Sequence, residues 1–179
     1  MIDPKLTHVG PGPNAPHVLH TVVEIPKGCR NKYELDPETG LFRLDRYLYS
    51  ATHYPGDYGF VPGSLCEDGD PLDVLVMVNE KTFTGCLIHA RVLGVFHMLD
   101  KGQGDEKILA VPDRDPLFAT YLDLADVPPH FLREVEHFFA TYKQLEGHAV
   151  EVQGWGNAAD ARQVVGDAIR RAAAAGSAP

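Results

Sequence analysis

Up to Val111 the apolar positions alternate with polar ones or cluster in short β-branched runs; after it they recur at helical spacing. Residues 17–24 carry Val18, His20 and Val22 on one parity and Leu19, Thr21 and Val23 on the other, which predicts a strand buried on much of both faces. Residues 32–35 and 41–46 flank the turn sequence Asp36-Pro37-Glu38-Thr39-Gly40 and predict a hairpin. The β-branched run 74–78 reads as a buried strand. Residues 86–99 predict a longer strand with a bulge or bend at Gly94, and 108–111 another, closed by Pro112. Between them, 100–107 reads as a polar loop. Phe131, Val135, Phe138, Tyr142 and Leu145, widened by Leu132 and Phe139, mark a helix over 128–146, with prolines at its start and Gly147 at its end. A last strand at 149–155 precedes a helix capped by Asn157, with Ala161, Val164, Val165, Ala168 and Ala172 on its apolar line. Residues 1–16 read as an irregular lead-in and 172–179 as a fraying end. Strands first and helices afterwards predict an α+β fold, a closed or nearly closed small barrel with helices on one side. Length and the absence of linkers or repeats predict one domain over 1–179.

Charge narrows the partners. Sixteen basic residues against 25 acidic ones leave a net charge of −9, so a basic face for nucleic acid or an anionic membrane is not expected. No apolar run approaches the length of a membrane span, and residues 1–16 lack the apolar core of a signal peptide. Cys29, Cys66 and Cys86 are odd in number and form no Cys-x-x-Cys pair, which predicts free thiols in a reducing, cytoplasmic setting.

The chemistry concentrates in Asp68-Gly69-Asp70-Pro71-Leu72-Asp73-Val74-Leu75-Val76. Asp68 and Asp70 sit two apart in a turn, and Asp73 opens the apolar strand. Asp and Gly are ordinary turn formers, and each carboxylate alone reads as solvated. Three like charges at one strand mouth repel, however, and a hard divalent cation such as Mg²⁺ relieves that repulsion. A calcium loop is excluded, because Leu72 and Asp73 occupy the positions that need an acidic ligand and a glycine. Lys32 and Glu34 share a strand face, and with Glu24 and Arg46 they could line one cleft.

Asp-Gly-Asp-Pro-Leu-Asp-Val closely resembles the signature of the soluble family I inorganic pyrophosphatases, and further blocks match in order from about Val22 to Trp155. The resemblance implies Mg²⁺-dependent hydrolysis of pyrophosphate to two orthophosphates by metal-activated water, with several ions per site. It implies Asp70 as general base and Asp68, Asp73, Asp100 and Asp105 as metal ligands, the latter two in the family spacing Asp-x₄-Asp-x-Lys. Lys32, Arg46, Tyr58, Lys107, Tyr142 and Lys143 are implied as substrate-binding, with Glu24, Glu34 and Tyr54 as further active-site residues. It also implies a five-stranded, OB-like barrel with additional strands and two C-terminal helices, and a homo-oligomer, a hexamer by preference. Where the family often carries a second histidine, four residues beyond the match to His137, this chain has Thr141. No residue after Trp155 receives a role. Two other readings stand beside this one: an OB-like module for single-stranded nucleic acid, which lacks the basic groove it needs, and hydrolysis of a nucleoside di- or triphosphate by the same metals.

Overall fold

The computed structural model describes residue 6 and residues 8–176; most of the expected fraying end, residues 172–176, is helical, and residues 177–179 lie outside the described part, as do residues 1–5 and 7 of the lead-in. The described strands are β1 (Val18–Ile25), β2 (Asn31–Leu35), β3 (Phe42–Tyr47), β4 (Asp57–Phe60), β5 (Asp73–Val76), β6 (Leu87–Asp100), β7 (Gln103–Pro112) and β8 (Val150–Gly156), with helices α1 (Pro129–Thr141) and α2 (Ala158–Gly176). The α+β class, the hairpin and both late helices agree with the sequence reading.

Closure does not. The sheet is six-stranded and mixed, in the order β1-β4-β5-β7-β6-β8, with β2 and β3 as a separate pair. One edge of β6 is divided: β1 pairs with Leu87–Arg91, and β8 takes Val95–Asp100. The expected OB-like barrel is therefore corrected to a six-stranded mixed sheet in which β1 and β8 share one edge of β6. β5 runs parallel to β7 while its other neighbour, β4, is antiparallel, so the sheet is mixed at its centre.

Alternation along the strands places the two helices on opposite faces of the sheet, not on one side. Val74, Val76 and Ile108 join Ala161, Val165 and Ala168 of α2 in one core, whereas Leu75 and Leu109 join Val135, Phe138 and Phe139 of α1 in the other. Asn157 caps α2 as its sequence suggests: its side-chain oxygen accepts from the amides of Ala159 and Asp160 at 2.8 and 3.1 Å. Helix α1 stops at Thr141, and a 3₁₀ turn, Gln144–Glu146, carries the chain to Gly147 at φ 79°.

One strand, and the first half of another, were hidden in the sequence by glycine and charge. β4 lies in a Gly/Pro-punctuated stretch, yet all four of its residues are buried. Gly59 is required there, since a Cβ would stand 1.9 Å from the Val22 carbonyl oxygen of β1. β7 begins at Gln103, so the expected polar loop shrinks to a tight turn, with Lys101 and Gly102 both at positive φ. The bulge at Gly94 is present, where the β6–β7 register shifts.

A column of rings runs within one core from β8 to β4. Trp155 packs on Phe96 with centroids 5.0 Å apart, Phe96 stacks on Phe139 at 5.7 Å, and Phe139 reaches Tyr58 at 6.1 Å.

Candidate active site

The acidic turn, the mouths of β5 and β7, the end of β6, the β2 hairpin strand and the residues after α1 all open onto one cleft of about 790 Å³. Twelve of the fourteen residues singled out in the sequence line it: Glu24, Lys32, Glu34, Tyr58, Asp68, Asp70, Asp73, Asp100, Asp105, Lys107, Tyr142 and Lys143. Arg46 and Tyr54 do not. Arg46 turns to Asp45 at 3.1 Å and to the well-buried Glu146 at 3.3 Å. Tyr54 is 2% exposed and packs beneath Tyr58 and against Phe138.

At the centre is Lys107, 4% exposed. Parallel pairing sets it opposite Asp73, while the two-residue strand repeat puts Asp105 on its own face. Its ammonium donates to Asp73 Oδ2 and, at 2.5 Å, to Asp105 Oδ1. Tyr58 donates its hydroxyl to the same Asp73 oxygen at 2.6 Å. The register of two strands thus builds a Tyr–Asp–Lys–Asp network that a loop could not hold so firmly. Across the cleft Lys143 donates to Asp100 Oδ2 at 2.5 Å, leaving Asp100 Oδ1 buried and without a partner. Lys32 pairs with Glu34 beside it.

Burial and crowded charge set the protonation states. For Lys107 burial pulls the ammonium down, but the Asp73 and Asp105 charges outweigh it and hold the group well above its ordinary range. Burial pushes the phenols of Tyr58, Tyr54 and Tyr142 up, so each remains a neutral donor. Asp70 is raised by burial and then by Asp68 and Asp73. Asp105 is raised too, burial outweighing its bond to Lys107. Burial also pushes Asp100 up, yet the Lys143 hydrogen bond and charge carry it below the usual carboxylate range.

Glu24 carries the largest consequence for pH. Burial lifts its carboxyl to about 7, against the amide of Leu35, which donates to Oε1 at 2.8 Å. A carboxyl raised in the folded state binds its proton more tightly than in the unfolded chain, so stability falls as pH rises from its ordinary 4.5 to about 7. Glu24→Gln removes that slope. Denaturant unfolding without divalent ions checks this: between pH 5 and about 7 the variant's midpoint declines less steeply than the unaltered protein's.

The sequence missed several lining residues. Arg43, Cys66 and Glu106 border the cleft, and Ala172, Ala175 and Gly176 of α2 wall one side. Glu106 lies within the charged run at 105–107 and could have been found; an alanine-rich helix end carries no chemical signal.

Eight carboxylates face four cationic side chains around this cleft. Among the described residues no group of three or more His, Cys, Asp or Glu is gathered closely enough to hold an ion, because lysines occupy the carboxylates instead. The donor set nevertheless fits a hard cation: its free groups are carboxylate oxygens, one buried and unpartnered, and burial followed by like-charge crowding raises Asp70. Hard oxygen donors interleaved with ammonium and phenol donors define a phosphate-handling hydrolase.

Comparison with known proteins agrees. The model of the inorganic pyrophosphatase family matches residues 21–173. The inorganic pyrophosphatase of Halalkalibacterium halodurans is 47% identical over 156 residues, 87% of this chain and 96% of the relative. Among solved structures, the inorganic pyrophosphatase of Thermus thermophilus superposes with a TM-score of 0.89 at 43% identity, covering 91% of this chain and 95% of that one. An inorganic phosphatase from Anaplasma phagocytophilum gives 0.90 at 38% identity, covering 92% and 99%. The chain belongs to the inorganic pyrophosphatase family.

Proposed function

We propose that this cleft carries out the family's defining reaction, hydrolysis of pyrophosphate to two orthophosphates, with Mg²⁺ as cofactor and Asp70 as base. The observation that carries the reading is the network in which Lys107 joins Asp73 and Asp105 under the Tyr58 hydroxyl, facing Asp68 and Asp70. Asp68, Asp73, Asp100 and Asp105 supply the oxygens for the cation. When bound, Mg²⁺ acidifies water and neutralises phosphate charge. Lys32, Lys107 and Lys143 donate to phosphate oxygens, joined by the neutral phenols of Tyr58 and Tyr142. Arg46 joins them by exchanging Glu146 for a phosphate, and Tyr54 holds Tyr58 in place from beneath. Glu24 and Glu34 tune these cations from the hairpin side.

Asp70 accepts a proton from water as the water oxygen bonds to one phosphorus; the bridging P–O bond breaks, and its electron pair leaves with the second phosphate, stabilised by the lysines. Asp70 suits this work because burial, and then the charges of Asp68 and Asp73, raise its carboxyl above the ordinary carboxylate range.

Orthophosphate release decides between substrates. With Mg²⁺, pyrophosphate is hydrolysed at least about 100-fold faster than ATP, a discrimination of about 3 kcal/mol in the barrier. Equal rates would favour the nucleotide reading.

Assembly belongs to the same proposal. Leu41, Leu44, Tyr47, Tyr49, Phe83 and Leu87 are among the large apolar side chains exposed on the described surface, and a symmetric oligomer, hexameric by family resemblance, covers part of them. Light scattering at micromolar concentration gives a mass several times that of the 19.6 kDa chain; a single-chain mass removes the claim. The three free cysteines support the cytoplasm as the setting. Among the described residues no helix is long and apolar enough to cross a membrane.

A further inference from the structure

The acidic turn is tied to α2 by a strap that the reaction chemistry does not use. Leu65, three residues before Asp68, has both backbone groups committed to that helix: its N–H donates to the Ala168 carbonyl at 3.1 Å, and its carbonyl accepts from Arg171 Nη1 at 2.9 Å. Arg171 Nη2 reaches Glu67 Oε1 at 3.3 Å, two residues nearer the turn. From this anchor the turn closes on itself, the Cys66 amide donating to the Asp70 carbonyl at 2.7 Å and the Gly69 amide to the Cys66 carbonyl at 3.2 Å. The opposite limb is fixed separately: the Leu72 amide donates at 2.8 Å to the buried Ser64 hydroxyl, and the Val61 amide donates to the Leu72 carbonyl at 2.9 Å. Local bonds therefore give the turn its shape, while its placement over the cleft depends on two limbs, one seated on β5 and one on α2.

The helix end is rigid enough to serve. Ala161, Val165 and Ala168 fix α2 in the sheet's core, and Arg171 lies one turn further along the same face. We propose that Arg171 is a positioning residue: by gripping residues 65 and 67 it sets where the Asp68 and Asp70 carboxylates stand relative to Asp73 and Lys107. The assignment rests on the pyrophosphatase reading of the cleft only for its kinetic consequence. A carboxylate that must meet both a cation and a water tolerates little displacement, since a shift of about 1 Å can cost about 100-fold in rate.

Arg171→Met keeps the side chain's length and removes its donors, and Arg170→Met on the next residue, whose partner is the exposed Asp167, is the control. Native-state amide exchange at residues 65, 66 and 69 speeds up about 10-fold or more in R171M, while β5 and β7 amides and those of α2 before Ala168 are unchanged. At saturating Mg²⁺ and pyrophosphate kcat falls about 10-fold with KM within about twofold, because the phosphate-gripping lysines are untouched. Arg171→Lys, which restores one donor to the Leu65 carbonyl, regains most of both, and R170M behaves as the unaltered protein. Exchange at 65–69 within about twofold of the unaltered protein overturns the proposal, as does acceleration spread evenly over α2 and β5. Exchange needs no turnover, so the strap is decided even if the unaltered protein proves inactive on pyrophosphate, an outcome that strikes the functional reading alone.

Discussion

Lys107→Met destabilises the protein by about 3 kcal/mol and abolishes measurable turnover. The ammonium is 4% exposed and holds the charges of Asp73 and Asp105, whose side chains are 28% and 20% exposed. Removing one partner of such a cluster leaves like charges facing each other out of water; fully buried cases cost about 3–5 kcal/mol, and partial exposure places this one at the lower end. For a chain of this size that is roughly 6–12 °C in Tm. Mg²⁺ recovers a large part of the loss, since it takes over the carboxylates that the lysine held. Calorimetry with and without Mg²⁺ measures both halves. An equal loss in the two conditions means that Asp73 and Asp105 do not gather the cation.

Asp70→Asn lowers kcat by roughly 10²–10⁴-fold, or about 3–5 kcal/mol in the barrier. The change keeps the side chain's shape, and the turn retains its amide bond from Asp70 to Asp68 Oδ1 at 3.0 Å. Substrate affinity survives, because the lysines and phenols are elsewhere in the cleft. The residual activity climbs with pH as solvent hydroxide replaces the missing base. The measurement is kcat at saturating Mg²⁺ and pyrophosphate from pH 6 to about 10. A defect rescued by excess Mg²⁺ would make Asp70 a ligand and not a base.

Much of this site was legible because its side chains lie close in sequence or on a strand repeat. Asp68, Asp70 and Asp73 announced themselves by crowding, whereas Asp105 and Lys107 stood out only through the family spacing Asp-x₄-Asp-x-Lys, since residues 100–107 by themselves read as a polar loop. Pairing across the sheet was not legible. Nothing in the sequence says that Asp73 stands opposite Lys107, or that residues 103–107 continue a strand, because their polar side chains face the cleft and break the apolar alternation. The barrel expectation failed for a related reason: strand count is local, but the sharing of β6's edge by β1 and β8 depends on long-range register. Arg46 was recognisable as a cation on the hairpin, while its buried partner Glu146 lies 100 residues away.

The column of rings gives the protein an intrinsic optical probe. Trp155 is the single tryptophan, fixed by its indole N–H to Glu136 Oε1 at 2.7 Å and packed at a tilt against Phe96. Two phenylalanines on, the column ends at Tyr58, over whose ring the Lys107 ammonium stands 5.6 Å from the centroid. On the proposed reading Lys107 leaves Asp73 for a phosphate, which alters the field on that ring and is expected to be felt through the ring contacts behind it. Emission from one indole therefore follows events at the wet end of the column, and filling of the cleft can be timed in a stopped-flow fluorimeter without attaching any dye.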